Sequence, residues 1–276
     1  MNKIEVNKLT VQYRDGNGMF TALEDVSFGV GKGEFVSIIG SSGCGKSTLL
    51  GILGGLRYPD AGEASIDGKK INGPGPDRSM VFQHYSLFPW MTARNNVAFG
   101  IKQVQKNLSR RERLNKAAAF LSRVGLENFK NKYPGQLSGG MRQRVAIARA
   151  LAMDTEILLM DEPFGAVDAK NRTILQELLL GLWEGCGRDD VVYPPGTSPP
   201  ARDRKTVVFV THDIDEAILM ADRIIMMSNS PGRIYREISV PFERPRNRAS
   251  LIRTPGYTRL RNELLALFFN DFGSTI

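Results

Sequence analysis

Two clusters of residues in this 276-residue chain have the types and spacing to handle a phosphate ester. The first reads GSSGCGKST and comprises Gly40, Ser41, Ser42, Gly43, Cys44, Gly45, Lys46, Ser47 and Thr48. Gly40, Gly45, Lys46 and Ser47 fit the phosphate-loop pattern G-x-x-x-x-G-K-[ST]. Glycines at 40, 43 and 45 let the backbone bend and approach a ligand with no Cβ in the way. The N–H groups of the loop and of the helix that follows can then point at phosphate oxygens, favoured by the positive end of the helix dipole. Lys46 adds a charge for the outer phosphates, and the Ser47 hydroxyl can sit on Mg²⁺. The second cluster is Asp161-Glu162. Asp161 is placed to hold Mg²⁺, directly or through water, as the acidic partner of Ser47. Glu162 can polarise an attacking water. Alone, two acids after a strand would read as a helix cap; beside a complete phosphate loop they read as hydrolytic machinery for a nucleoside triphosphate.

These residues need elements to hold them. Phe35, Val36, Ile38 and Ile39 form a short apolar run before the loop, and Leu49, Leu50, Leu53 and Leu56 recur after it at helical spacing. That is the strand, turn and helix the motif requires. The runs from Glu156 to Met160 and from Thr206 to Val210 are continuous and apolar, as strands buried in a parallel sheet are. Active groups collect at the carboxyl ends of such strands. Asp161 and Glu162 follow one, His212 another, and Gln83 the short strand from Ser79 to Phe82. Ile4 to Tyr13 reads as an edge strand and Ala22 to Val30 as a second strand, with a hairpin around Asp67-Gly68. From Pro89 to about Ala152 the pattern is helical: one helix from Thr92 toward Phe99, one after the capping box Ser109/Glu112, and one over Leu137–Ala152. A further helix runs from about Asp168 to Trp183. Strands alternating with helices predict an α/β protein with a parallel sheet covered on both faces.

Composition limits the alternatives. Hydrophobic residues are 42% and charged residues 24%, ordinary for a globular protein with a sizeable core. The net charge is +8, from 37 basic and 29 acidic residues, and the excess is most visible late, at Arg233, Arg236, Arg244, Arg246, Arg248, Arg253, Arg259 and Arg261. No aromatic-interleaved basic ladder or nucleic-acid motif accompanies it. The two cysteines, Cys44 and Cys186, exclude a disulfide framework and fit a reduced compartment. No signal peptide is apparent in MNKIEVNKLT, and no apolar stretch approaches the ~20 residues of a membrane span. A membrane role is therefore expected only through a partner.

The whole set resembles the ATP-binding subunits of ABC transporters, over nearly the full chain. The signature LSGG stands at Leu137-Ser138-Gly139-Gly140, followed by Met141-Arg142-Gln143-Arg144. Ile157 to Asp161 with Glu162 matches the acidic strand, Gln83 the glutamine loop and His212 the switch histidine. Gly165-Ala166-Val167-Asp168 stands where family members usually read Ser-Ala-Leu-Asp, and Tyr13 where they carry an adenine-stacking aromatic. The resemblance implies a P-loop NTPase core with an antiparallel β edge subdomain and a helical signature subdomain. It also implies ATP and Mg²⁺ as ligands. Glu162 would be the general base, His212 would contact the γ-phosphate, and Gln83 would serve the metal and the reaction. Ser138, Gly139, Gly140 and Asp168 would contact nucleotide, the first three that of a second subunit packed head to tail.

Within the family, MRQR after LSGG, Pro89-Trp90 and PFERPRNR (241–248) are similar to the nitrate/sulfonate/taurine importers. That implies partners: a second copy or a homologous ATPase, two membrane permease subunits and, indirectly, a periplasmic or extracellular substrate-binding protein, at the cytoplasmic face of the inner membrane and without nucleic acid. The expected organisation is one ATPase domain over 1–276. Its core is 1–90 with 153–230, its helical subdomain 91–152, its inserted loop 185–205 and its C-terminal segment 231–276. An ABC-type ATPase acting on DNA or ribosomes is the main rival; it would usually carry a coiled-coil insertion or two cassettes, whereas one phosphate loop and one LSGG are present. A small-molecule kinase would leave LSGG and His212 unexplained.

Overall fold

The computed structural model describes residues 2–15, 18–183 and 204–270. Its elements in chain order are β1 (Asn2–Asp15), β2 (Gly18–Gly31), β3 (Phe35–Ile39), α1 (Lys46–Leu53), β4 (Ala61–Ile66), β5 (Lys69–Lys70), β6 (Arg78–Val81), α2 (Ala93–Val104), α3 (Arg110–Arg123), α4 (Gly139–Met153), β7 (Ile157–Asp161), α5 (Ala169–Trp183), β8 (Thr206–Val210), α6 (Ile214–Met220), β9 (Arg223–Met227), β10 (Ile234–Ser239), α7 (Arg248–Leu251) and α8 (Pro255–Asn270). Two compact units divide the chain: Met1–Pro74 with Glu184–Ile276, and Gly75–Trp183. The predicted inserted loop falls, except for Arg204 and Lys205, outside the described residues.

In the first unit, an antiparallel sheet runs in the order β2-β1-β4-β5. β1 is therefore an interior strand, not the edge strand its sequence suggests. Alternation reports one buried face and carries no information about how many neighbours bond the strand's edges. The buried set changes parity along β1, from Ile4 and Val6 to Leu9 and Val11. Register shifts between Val6 and Leu9 account for this, because one extra residue turns every later side chain to the other face. The same unit contains a parallel group in which β3 lies between β8 and β9, with β10 antiparallel to β9. Every residue of β3 and β8 is buried, hence their unbroken apolar sequences.

Several of the late arginines of this unit are engaged internally. Arg233 pairs with Glu24 at 2.6 Å, Arg244 with Asp222 at 2.8 Å and Arg261 with Asp215 at 2.7 Å. Arg246 donates to the carbonyls of Ile218 and Phe242 at 3.1 and 2.8 Å. The bonds of Arg244, Arg246 and Arg261 tie the 240–261 stretch to helix α6 and its flanks, and all of these contacts explain part of the basic excess without any external acid.

In the second unit, β6 and β7 pair in parallel, with Val81 opposite Met160. Helices α2, α3 and α4 pack on one another through Val97, Ile101, Ala117, Leu121, Val145 and Ala148, all buried. Helix α2 runs past Phe99 to Val104 and is capped by Thr92, whose hydroxyl accepts from Asn95 N. α3 starts as its capping box requires: Ser109 Oγ accepts from Glu112 N at 3.2 Å, and Glu112 Oε2 accepts from Ser109 N at 2.7 Å. The Glu112 carboxyl is held below its ordinary value, first by the Ser109 side-chain hydrogen bond. The signature helix α4 begins at Gly139 with Ser138 as its cap, two residues later than the apolar pattern alone indicates.

Candidate nucleotide-binding site

The glycine loop in the first unit is built by tight packing. Gly45 has φ +92° and caps α1. A Cβ there would lie 2.4 Å from Leu23 Cδ2 and 2.9 Å from Ala22 O, so neither the dihedral nor the space admits another residue. A Cβ at Gly40 would meet Met227 O at 2.8 Å. Lys46 is buried at 6% exposure. Its ammonium donates to Gly40 O at 2.8 Å and Ser41 O at 2.6 Å and contacts the buried Cys44 Sγ at 3.6 Å. The lysine thus curls the loop over its own charge and turns those carbonyls inward, away from any anion. Ser42, Gly43 and Ser47 are exposed along the rim.

The loop is braced from outside by residues that sequence reasoning did not single out. Ser41 Oγ donates to Asn229 Oδ1, and Ser230 Oγ donates to Gly43 O at 3.2 Å. Gly232 passes so close that a Cβ would lie 2.0 Å from Cys44 O. These partners come from the turn between β9 and β10, nearly two hundred residues along the chain, and no local spacing announces them.

His212 leaves the end of β8 beside this loop. Ile38 is paired with Val210, and Thr211 N donates to Ile38 O at 3.2 Å, so the two connections emerge from neighbouring strand ends. The histidine is exposed, on a fixed turn. Thr211 Oγ donates to the buried Glu216 carboxylate at 2.8 Å and accepts from Asp213 N at 3.0 Å, while Asp213 accepts from Glu216 N at 3.1 Å. The sequence signal for Glu216 is the helix-start spacing Asp213-x-x-Glu216. Tyr13, at 37% exposure, is no core aromatic. Its hydroxyl lies 3.0 Å from Thr48 Oγ1, and the Arg57 guanidinium covers its ring at 3.8 Å.

The second unit brings together the other group. Gln83 and Glu162 follow the paired strands β6 and β7, and Gln83 Nε2 donates to Glu162 Oε2 at 3.2 Å. Glu162 has φ +44°, a conformation that costs a residue with a side chain about 1–3 kcal/mol and is found where position is needed for function. Asp161 beside it is buried. The signature start is exposed at Ser138, whose Oγ accepts from Met141 N at 3.3 Å. Gly139 packs beside Tyr85 and Gly140 beside Ala166 O, joining this corner to the residues that flank Gln83 and Asp168. Gln143, buried on α4, donates to Pro163 O at 2.8 Å, and Arg149 donates to Ser86 O at 2.8 Å. Gln143 stands in the MRQR run of the sequence, where spacing gives it no such role, and no sequence signal marks Arg149; both clamp the signature helix onto the segments that carry Glu162 and Gln83. Asp168 caps α5, accepting from Asn171 N at 3.1 Å and Asn171 Nδ2 at 2.7 Å. Those bonds, the side-chain one foremost, hold its carboxyl below the ordinary range.

A glycine-bent loop between a buried parallel strand and a helix, with acids at the end of another buried strand, defines a P-loop NTPase of α/β class. The chain matches the ABC transporter family over residues 23–165. It is 45% identical to the nitrate import ATP-binding protein NrtD of Synechococcus elongatus, over 92% of this chain and 87% of that protein. It is 43% identical to the bicarbonate transport ATP-binding protein CmpD of Synechocystis, over 98% and 90%. Among solved structures, a dimeric post-hydrolysis state of the ATP-binding cassette MJ0796 bound to ADP and Pi superposes with a TM-score of 0.75 at 37% identity, over 87% of this chain and all of that one. The chain belongs to the ABC transporter family, as one of its ATP-binding, ATP-hydrolysing subunits.

Proposed function

We propose that this ATPase powers import of a small anion such as nitrate, bicarbonate or a sulfonate, or of the sulfonate zwitterion taurine, through a membrane transporter. The observation that carries the anion class is the similarity to nitrate and bicarbonate import proteins over nearly the whole chain. Two copies, or one copy and a homologue, enclose two ATP molecules. This pairing is supported by the exposed Ser138 corner and by the dimeric form of the similar cassette. Two permease subunits and a substrate-binding protein complete the assembly, with this chain peripheral at the cytoplasmic face of the inner membrane. Among the described residues no helix is long and apolar enough to cross a membrane. The core is 1–90 with 153–230, the signature subdomain 91–152 and the accessory segment 231–276.

In this reading the loop from Gly40 to Thr48 cradles the phosphates through its N–H groups, and Lys46 exchanges its loop carbonyls for the outer phosphates. Glu162 orients the attacking water and takes its proton, steered by Gln83. His212 contacts the γ-phosphate, Tyr13 stacks on adenine, and Asp168 with Ser138, Gly139 and Gly140 closes over nucleotide. Ser47, Asp161 and Gln83 offer hydroxyl, carboxylate and amide oxygens, a hard donor set that fits Mg²⁺. When bound, Mg²⁺ would neutralise charge on the outer phosphates. The test is co-expression with the neighbouring permease genes and uptake of labelled nitrate, bicarbonate and taurine. ATP-dependent uptake that is lost with Lys46→Ala is expected; none of the three taken up would refute the anion class.

A further inference from the structure

The Tyr13 ring is held at two points. Its hydroxyl lies 3.0 Å from Thr48 Oγ1, inside the phosphate-loop motif. The Arg57 guanidinium carbon lies 3.8 Å from the ring centroid, a stacking distance. Arg57 is itself fixed, since its Nη2 donates to Gln12 O at 3.0 Å, one residue before the tyrosine. The local chain is closed by Asp60, whose carboxylate accepts from Gln12 N at 2.7 Å and whose N–H donates to Thr10 O at 2.9 Å. One ring face is thus covered, and the residue as a whole keeps 37% exposure.

We propose that Arg57 is a positioning residue for the nucleotide base: it backs the Tyr13 ring so that the open face is a preset stacking plate for a purine. This rests on the reading of Tyr13 as the base-stacking aromatic. The physics asks for arginine here. A planar guanidinium can lie flat on the ring and still donate in its own plane to Gln12 O, which an ammonium cannot do. A cation on one face also draws π density toward itself, so the opposite face repels the π cloud of a stacked base less. An unsupported exposed tyrosine would lose rotamer freedom on binding the base; this one has already lost it. The plate carries no information about the phosphates, which the glycine loop reads independently.

The test compares ATP with inorganic tripolyphosphate, which has the phosphates and no base, as Mg²⁺ complexes binding to the full chain. Arg57→Ala should weaken ATP binding roughly five- to thirty-fold and leave tripolyphosphate binding unchanged. Tyr13→Ala should show the same selective loss, and the double variant should be little worse than Tyr13→Ala alone, because the arginine acts through the ring. If Arg57→Ala weakens both ligands equally, the arginine acts on the loop or the fold and the proposal fails. If it tightens ATP, Arg57 occupies the base's own face and the proposal fails. Selective loss in Tyr13→Ala with wild-type behaviour in Arg57→Ala overturns the support by Arg57 alone. The absence of selective loss in Tyr13→Ala overturns the stacking role of Tyr13 and with it this inference.

Discussion

The two glycine-bearing motifs of this chain differ in what accounts for them. At the phosphate loop the protein's own packing explains the glycines: Gly45 has φ +92° with Leu23 and Ala22 against it, and Gly40 presses on Met227 O. At the signature corner it does not. Gly139 and Gly140 are helical, and an added Cβ would come only to 3.1 Å from Tyr85 Oη and 3.2 Å from Ala166 O, overlaps that a shift of a few tenths of an ångström relieves. Glycine in a helix is less favourable than alanine by up to about 1 kcal/mol. A costly residue that the chain's own packing does not require points to a requirement outside the chain. That is the expectation for a surface that closes on a partner's nucleotide.

The largest test of this contrast is Glu162→Gln. Hydrolysis should fall by roughly 10²–10⁴-fold, the contribution of a positioned base, while ATP binding persists. ATP then holds the pair closed, and light scattering should show ATP-dependent dimers in the variant that wild type forms only transiently. Wild-type turnover would move the base elsewhere. Next is Gly45→Ala, which must adopt a left-handed conformation against backbone and side chain at once. A loss of about 2–5 kcal/mol in chemical unfolding is expected, with nucleotide binding abolished. Gly140→Ala should behave in the opposite way. Stability should stay within about 0.5 kcal/mol of wild type, while turnover falls by roughly 10²-fold because a Cβ now stands where the partner's phosphates approach. A Gly140→Ala chain that unfolds early would mean the glycine serves the fold after all.

Smaller effects separate structure from function at two helix caps. Ser109→Ala and Ser138→Ala each remove a cap and should each cost about 1 kcal/mol in denaturant melts. Only the Ser138 variant should also lose ATPase activity, since Ser109 has its reciprocal partner within the chain. The smallest effect is on pH. Glu112 titrates below its ordinary value of about 4.3 because Ser109 bonds its charged form. Its contribution to the cap is therefore complete above that ordinary value and fades as pH falls through the lowered folded one. A carboxyl NMR titration should show this depression and lose it in Ser109→Ala.

Much of this molecule was legible from its residues in order. The phosphate loop, the buried strands β3, β7 and β8 and the capped helix α3 follow from signals within about ten residues: glycine spacing, unbroken apolar runs, and a serine three before a glutamate. Such features depend on backbone conformation and local hydrogen bonding, which neighbours in sequence control. What the tertiary structure alone decided involves partners far along the chain. β1 became an interior strand because β2 and β4 bond its two edges. Asn229 and Ser230 brace a loop that lies nearly two hundred residues earlier. Gln143 holds the signature helix to Pro163, and Arg57 lies over the Tyr13 ring. At Asn229, Ser230, Gln143 and Arg57 a common polar residue gains its role from a contact made only after the chain has folded. The energy of that contact depends on distance and angle in space, and no periodicity in the sequence encodes either.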